Sequence, residues 1–135
     1  MEWSEFFKIL SIEKEDGKYN AGIEFNPGHE IFKGHFPGNP VVPGVCMVQV
    51  IKIILKNIYG KDFTMQQSSQ LKFLAIINPN ETKTVQVEII LSKEDESGLT
   101  VSGSIHKGEL IFLKYKAFFI ISNNSTTKSR LTANS

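Results

Sequence analysis

The chain has 135 residues, 15 Lys or Arg against 14 Asp or Glu, and a single cysteine, Cys46. That length suits one domain able to hold a core without covalent staples. A net charge of +1 supplies no field for nucleic acid or anionic lipid, and one cysteine excludes an internal disulfide framework.

No uncharged apolar run reaches the roughly 18 residues that a membrane span requires. The opening Met1-Glu2-Trp3-Ser4-Glu5 is acidic and lacks a signal-peptide pattern. The expectation is a cytoplasmic protein with no membrane span and no nucleic-acid partner.

In chain order, Asp16-Gly17 is a hairpin signal. It joins the apolar stretch Phe6 to Ile12 to the alternating Tyr19, Ala21, Ile23 and Phe25, a half-buried strand by its period of two. Residues 34–44 hold three prolines and three glycines, so this loop has a strongly restricted shape. Gly44 to Tyr59 then breaks the strand pattern. Eleven of its sixteen residues are apolar, too long a run for a strand and ordinary for a helix. Gln49, Lys52, Lys56 and Asn57 share one face at helical spacing, and Pro43 is a fitting start.

Alternation returns at Leu71, Phe73, Ala75 and Ile77, at Val85 to Leu91, and at Leu99, Val101 and Ile105. Leu110 to Ile121 is apolar on both faces apart from Lys114 and Lys116, which reads as a central strand, with Lys107-Gly108 as the tight turn before it. The fold class is α+β: one long buried helix embraced by a curved antiparallel sheet of five or six strands. Residues 1–121 form one domain. Residues 122–135, of which ten are Ser, Thr or Asn, read as a mobile tail.

The loop 34–44 delivers His35 to the start of a buried helix. A helix N-terminus offers free amides and a partial positive charge, which can hold a carbonyl oxygen that gains charge during reaction. Histidine moves protons near neutral pH. The residues alone leave two readings, a stiff connector or a site for proton abstraction beside a carbonyl.

The string His35 to Val45, HFPGNPVVPGV, resembles the signature of the beta-hydroxyacyl-acyl-carrier-protein dehydratases of fatty-acid synthesis. Asn26, Phe32 and Gly34 sit at spacings similar to that family's approach to its histidine. Lys72-Phe73 with Pro79 is similar to its later K-F and P-G-D segment, although here the end reads Pro79-Asn80-Glu81. The resemblance spans roughly residues 6–121 in element order and implies the hot-dog fold.

It also implies removal of water from a beta-hydroxyacyl thioester to give the trans-2-enoyl thioester, with no metal or redox cofactor. His35 would be the base. Gly44 and Val45 would polarise the thioester carbonyl at the helix start, with Phe36 and Pro43 as further substrate contacts. The family places a carboxylic acid fourteen residues after the histidine, reaching across a dimer; here that residue is Gln49, and the family's glutamine one turn on is Ile53. An amide has no titratable proton near neutral pH, and a positioned acid contributes roughly 10²–10⁴-fold.

Three readings follow: a dehydratase in which Gln49 only orients the hydroxyl, an acyl thioesterase, or a non-catalytic acyl-binding or scaffold subunit. Gln49 also shares its face with Lys52 and Lys56, so a solvated polar stripe would explain it equally. The implied partners are an acyl thioester, an acidic acyl carrier protein facing Lys33, Lys52 and Lys56, and a second copy in a homodimer or an assembly of dimers. Apolar walls for the acyl chain would come from residues such as Val48, Ile51 and Leu55.

Elsewhere, Cys46 reads as a buried inert thiol rather than a nucleophile. His29 reads as a loop residue and His106 as solvated. Glu94-Asp95-Glu96 reads as a solvated loop.

Overall fold

A computed structural model describes residues 2–33 and 40–122. Two short 3-10 turns, η1 (Trp3–Glu5) and η2 (Glu30–Phe32), and one helix, α1 (Gly44–Tyr59), accompany six strands. The strands are β1 (Phe7–Glu15), β2 (Lys18–Phe25), β3 (Phe63–Phe73), β4 (Thr84–Asp95), β5 (Gly98–Lys107) and β6 (Leu110–Ile121). They form one antiparallel sheet in the order β1-β2-β4-β5-β6-β3. β1 and β3 are therefore its two edges, and β6 is interior as its two-sided apolar sequence requires. This is the expected α+β hot-dog architecture.

The helix runs over the expected residues, from Pro43 as N-cap to Gly60, whose left-handed conformation (φ +72°) ends it with an N–H bond to the Lys56 carbonyl at 2.7 Å. Cys46, Met47, Val50, Ile51, Ile54 and Leu55 are buried. They pack with Ala21, Ile23, Val85, Val87, Val101, Leu113 and Phe119 from the sheet into a single core. Val45, Gln49, Lys52, Ile53, Lys56 and Asn57 stay partly or fully exposed. Most of the circumference is wrapped, and one polar-edged stripe is left open. No helix among the described residues is long and apolar enough to cross a membrane.

Four local expectations need correction. The strand read at Leu71 to Ile77 is β3, which begins at Phe63 and ends at Phe73. Its Gln66-Gln67-Ser68-Ser69 stretch is exposed, and register shifts at Met65/Gln67 and Ser68/Gln70 break the period of two, because each bulge moves the following side chains to the other face. His106 is not a solvated residue at a turn: it lies within β5, half-buried, 3.1 Å from the Ser104 hydroxyl. Glu94 and Asp95 are the exposed end of β4 rather than loop. Lys107 pairs with Leu110, so the turn residues are Gly108-Glu109. The expected tail lies outside the described residues apart from Ser122, whose N–H bonds the Asp62 carbonyl at 2.7 Å.

Candidate active site

Proline at 43 sets the helix start. It supplies no N–H, and its carbonyl takes the N–H groups of Cys46 (2.9 Å) and Met47 (3.2 Å). Of the helix-opening amides, Gly44 and Val45 are left with no hydrogen-bond partner among the described residues. Val45 is 79% exposed, and this pair carries the positive end of the helix dipole. Val42 anchors the approach: its side chain is buried and its N–H bonds the Ile77 carbonyl at 2.9 Å.

That bond brings the segment after β3 against the helix start. Gly44 lies against Phe73: a Cβ at 44 would sit 3.0 Å from two ring carbons. Phe73 (48% exposed), Leu74 (53%) and Ile76 (66%) leave apolar surface open along this segment, of the kind that marks a binding or association site. The sequence offered Phe73 as an alternating strand residue and as part of the Lys72-Phe73 segment that carries the resemblance; its packing on Gly44 has no signal in either pattern.

Gln49 sits one turn further along the open stripe. It is half-buried, and its amide makes no hydrogen bond among the described residues. It lines a cleft of about 340 Å³ with Lys52, Ile53, Lys56, Asp62 and Thr64. Lys56 is paired with Asp62 at 3.0 Å; Asp62, missed in the sequence, is the acid of this cleft. Ile53 also lines a neighbouring apolar cleft with Trp3, Phe7 and Ile9, so the two depressions adjoin across it.

Of the expected apolar walls, Ile51 and Leu55 are buried against the chain's own sheet and Val48 is half-buried. The exposed apolar surface belongs instead to Val45 and to residues 73–76. Cys46 is buried, and burial pushes its thiol above the ordinary range, which opposes a nucleophilic role. His35 and Phe36 lie outside the described residues. Pro43, Gly44 and Val45 are placed at the start of α1 and Gln49 one turn beyond Val45, whereas Lys33 follows η2 in a different cleft, with Lys8, Glu24 and Lys83.

The family profile ApeI-like, described as ApeI dehydratase, matches residues 11–109. The chain is 30% identical to the 3-hydroxyacyl-acyl-carrier-protein dehydratase FabZ of Caldicellulosiruptor saccharolyticus, over 75% of this chain and 81% of that protein. It is 27% identical to the FabZ of Levilactobacillus brevis, over 85% and 84%. Among solved structures it is similar to the dehydratase heterocomplex ApeI:P of Xenorhabdus doucetiae, with a TM-score of 0.65 and 18% identity over 84% of this chain and 96% of that one. A hypothetical thioesterase with coenzyme A from Streptococcus pneumoniae shares the fold at a TM-score of 0.60 and 13% identity, over 89% and 90%.

Proposed function

Because the chain belongs to the ApeI-like dehydratase family, we propose that it removes water from beta-hydroxyacyl thioesters to give trans-2-enoyl thioesters. The observation that carries this reading is the pair of amides on Gly44 and Val45, which have no hydrogen-bond partner among the described residues, at a helix start that packs against the half-exposed Phe73. They donate hydrogen bonds to the thioester carbonyl oxygen and stabilise the charge that develops on it. His35, nine residues before Gly44 in the chain, takes the proton from the alpha carbon. The carbon–carbon double bond forms as the beta C–O bond breaks, and the imidazolium returns its proton to the departing oxygen. Water leaves and the histidine ends neutral. Gln49 orients the hydroxyl by hydrogen bonding and transfers no proton. Phe36 and Pro43 contact the substrate. No metal or redox cofactor takes part.

Two copies complete the site. β3 is a sheet edge, and its exposed Gln66 to Ser69 carry no charge to discourage edge pairing. β1, the other edge, carries Lys8, Glu13, Lys14 and Glu15. The homodimer therefore pairs through β3, which sits beside the open stripe of α1 and brings a second helix towards Gln49. The acyl group arrives, in the cytoplasm, on an acidic carrier protein that meets Lys52 and Lys56 beside Gln49; Lys33, expected with them, lies in a different cleft.

Gln49 specifically favours a second reading, a non-catalytic acyl-binding subunit, since the amide supplies no proton to the leaving hydroxyl. The thioesterase alternative has only the shared fold behind it, and fold alone does not fix chemistry. Incubation with a beta-hydroxyacyl thioester separates these. Enoyl formation that falls at least roughly 10²-fold in His35→Ala supports the dehydratase. Free thiol release supports the thioesterase. Retained thioester binding without turnover supports the binding subunit.

A further inference from the structure

The N-terminal segment lies against the same open stripe of α1 that carries Gln49. Trp3, Phe7 and Ile9 line a cleft of about 320 Å³ with Ile53 and Asn57 of the helix. η1 fixes Trp3 there. The Phe6 N–H bonds the Trp3 carbonyl at 2.9 Å, and the indole stands edge-on to the Phe6 ring at 5.6 Å and 87°. Phe6 is fully buried, so the indole is anchored to the core. Phe7 is buried, and Trp3, Ile9 and Ile53 are half-buried, each packed against the core with part of its apolar surface left open.

Val45, Gln49, Ile53 and Asn57 follow one another at four-residue spacing, which sets them in one slowly winding row on the helix surface. None of the four is buried. The row leads from the amides at the helix start, past Gln49, to the Trp3 cleft. Ile53 is the step between the two depressions, since it lines both.

From Val45 to Ile53 the helix advances about 12 Å. With bonds of about 1.5 Å, an extended hydrocarbon chain advances roughly 1.3 Å per carbon. A carbonyl at the helix start would therefore bring roughly the tenth carbon level with Ile53. Shorter chains end beside Gln49, and longer ones reach the Trp3 cleft. An apolar cavity of roughly 150 Å³ takes up a benzene ring, so this cleft has room for the end of such a chain. Its apolar side chains offer nothing to a charged tail, whereas each methylene removed from water there strengthens binding about fourfold.

We infer that the cleft between Trp3, Phe7, Ile9 and Ile53 is an acyl-chain subsite, which receives the distal end of a linear acyl thioester of decanoyl length or longer. This rests on the dehydratase reading for one point, the position of the thioester carbonyl at Gly44 and Val45. The subsite makes Ile53, Ile9 and Trp3 determinants of chain-length preference.

Trp3 is the only tryptophan of the chain, so its emission reports occupancy without turnover. The probes are saturated acyl pantetheine thioesters, which have no beta-hydroxyl to eliminate. Dodecanoyl and tetradecanoyl pantetheine should shift the emission saturably, and butanoyl pantetheine should not. From decanoyl upward the dissociation constant should fall about fourfold per added methylene. Two variants then test the walls. Ile53→Gln puts an amide on the step between the depressions, and Ile9→Thr keeps the β-branched shape of the strand residue while adding a hydroxyl. Each should lower the ratio of kcat/KM for beta-hydroxydodecanoyl over beta-hydroxybutanoyl thioester at least about fivefold, with circular dichroism as the folding control. The variants lie on different elements, so a folding failure in one leaves the other, and the wild-type titration needs neither. Emission indifferent to chain length, or an unchanged ratio in a folded variant, would overturn the subsite. So would an emission shift that follows protein concentration rather than ligand, which would assign the cleft to a second copy of the chain. No turnover at any chain length, with the emission series as expected, would refute the dehydratase reading and leave the subsite standing.

Discussion

Gln49→Glu is the substitution on which the dehydratase and binding-subunit readings make the sharpest demand. The side chain is half-buried on the open stripe of α1 and makes no hydrogen bond among the described residues, so exchanging the amide for a carboxyl of the same shape breaks no hydrogen bond there. Lys52 lies three residues on, and an acid N-terminal to a lysine at that spacing stabilises a helix by about 0.2–0.5 kcal/mol. Folding stability should therefore stay within about 0.5 kcal/mol of the wild type. The chemistry should change much more. A positioned general acid is worth roughly 10²–10⁴-fold. The lower end applies here, because Lys52 and Lys56 in the same cleft favour the ionised form of the introduced carboxyl, and a general acid must be protonated to act. An increase of about 10² corresponds to about 2.7 kcal/mol of barrier. The gain should grow as pH falls and the carboxyl takes up its proton, until protonation of His35 removes the base, giving a bell-shaped profile. The assay follows ultraviolet absorbance of the enoyl thioester in both proteins over a pH series, with melting temperature as the folding control. Equal turnover in two equally stable proteins would refute the placement of residue 49 at the leaving hydroxyl and reduce it to a solvated helix position.

Gly44→Ala drives a methyl against the Phe73 ring, 3.0 Å away; kcat/KM should drop roughly tenfold or more through displacement of the amide pair, with about 1 kcal/mol lost in urea denaturation. The double change Gln67→Lys and Ser69→Lys places like charges on the β3 edge, and sedimentation should show conversion of dimer to monomer; a dimer unaffected by both lysines would exclude β3 as the seam. In Gly103→Ala the new Cβ would stand 1.9 Å from the Glu88 carbonyl oxygen, the same oxygen that accepts from the Tyr115 hydroxyl at 2.8 Å, so denaturant unfolding should show a loss of about 3 kcal/mol. Cys46, buried with its thiol pushed upward, should react with a maleimide at least roughly 10²-fold more slowly in the folded protein than in urea.

The helix was the most legible element because two independent signals coincide on it. Its length excludes a strand, and its four polar residues fall on one side, where the structure leaves it uncovered. The free amides were legible for a similar reason: Pro43 followed by Gly44 marks a helix start whose first N–H groups have no internal partner. The His29 ring, whose Nδ1 accepts from the Ile31 N–H at 3.1 Å to cap η2, was not legible, since it is held edge-on against Phe6, a contact across 23 residues of sequence. Phe73 on Gly44 and Asp62 beside Gln49 failed likewise. Both join segments that only the finished sheet brings together.

β3 shows how the same physics hides an element and gives it a use. A strand announces itself in sequence when one face is buried and the other is not. β3 buries Phe63 and then runs exposed through Gln66 to Ser69, with two bulges that shift which side chains face inward. Nothing periodic remains to read. An edge of this kind would ordinarily carry lysine or proline to prevent pairing. Between Phe63 and Leu71 it has neither, although β1 at the opposite edge is charged along most of its exposed length. Uncharged glutamine and serine tolerate a neighbouring strand at little desolvation cost, because their polar atoms can bond across the seam. The features that remove the strand signature therefore favour a second chain at this edge, and the edge that would receive it is the one beside Gln49 and the open stripe of the helix.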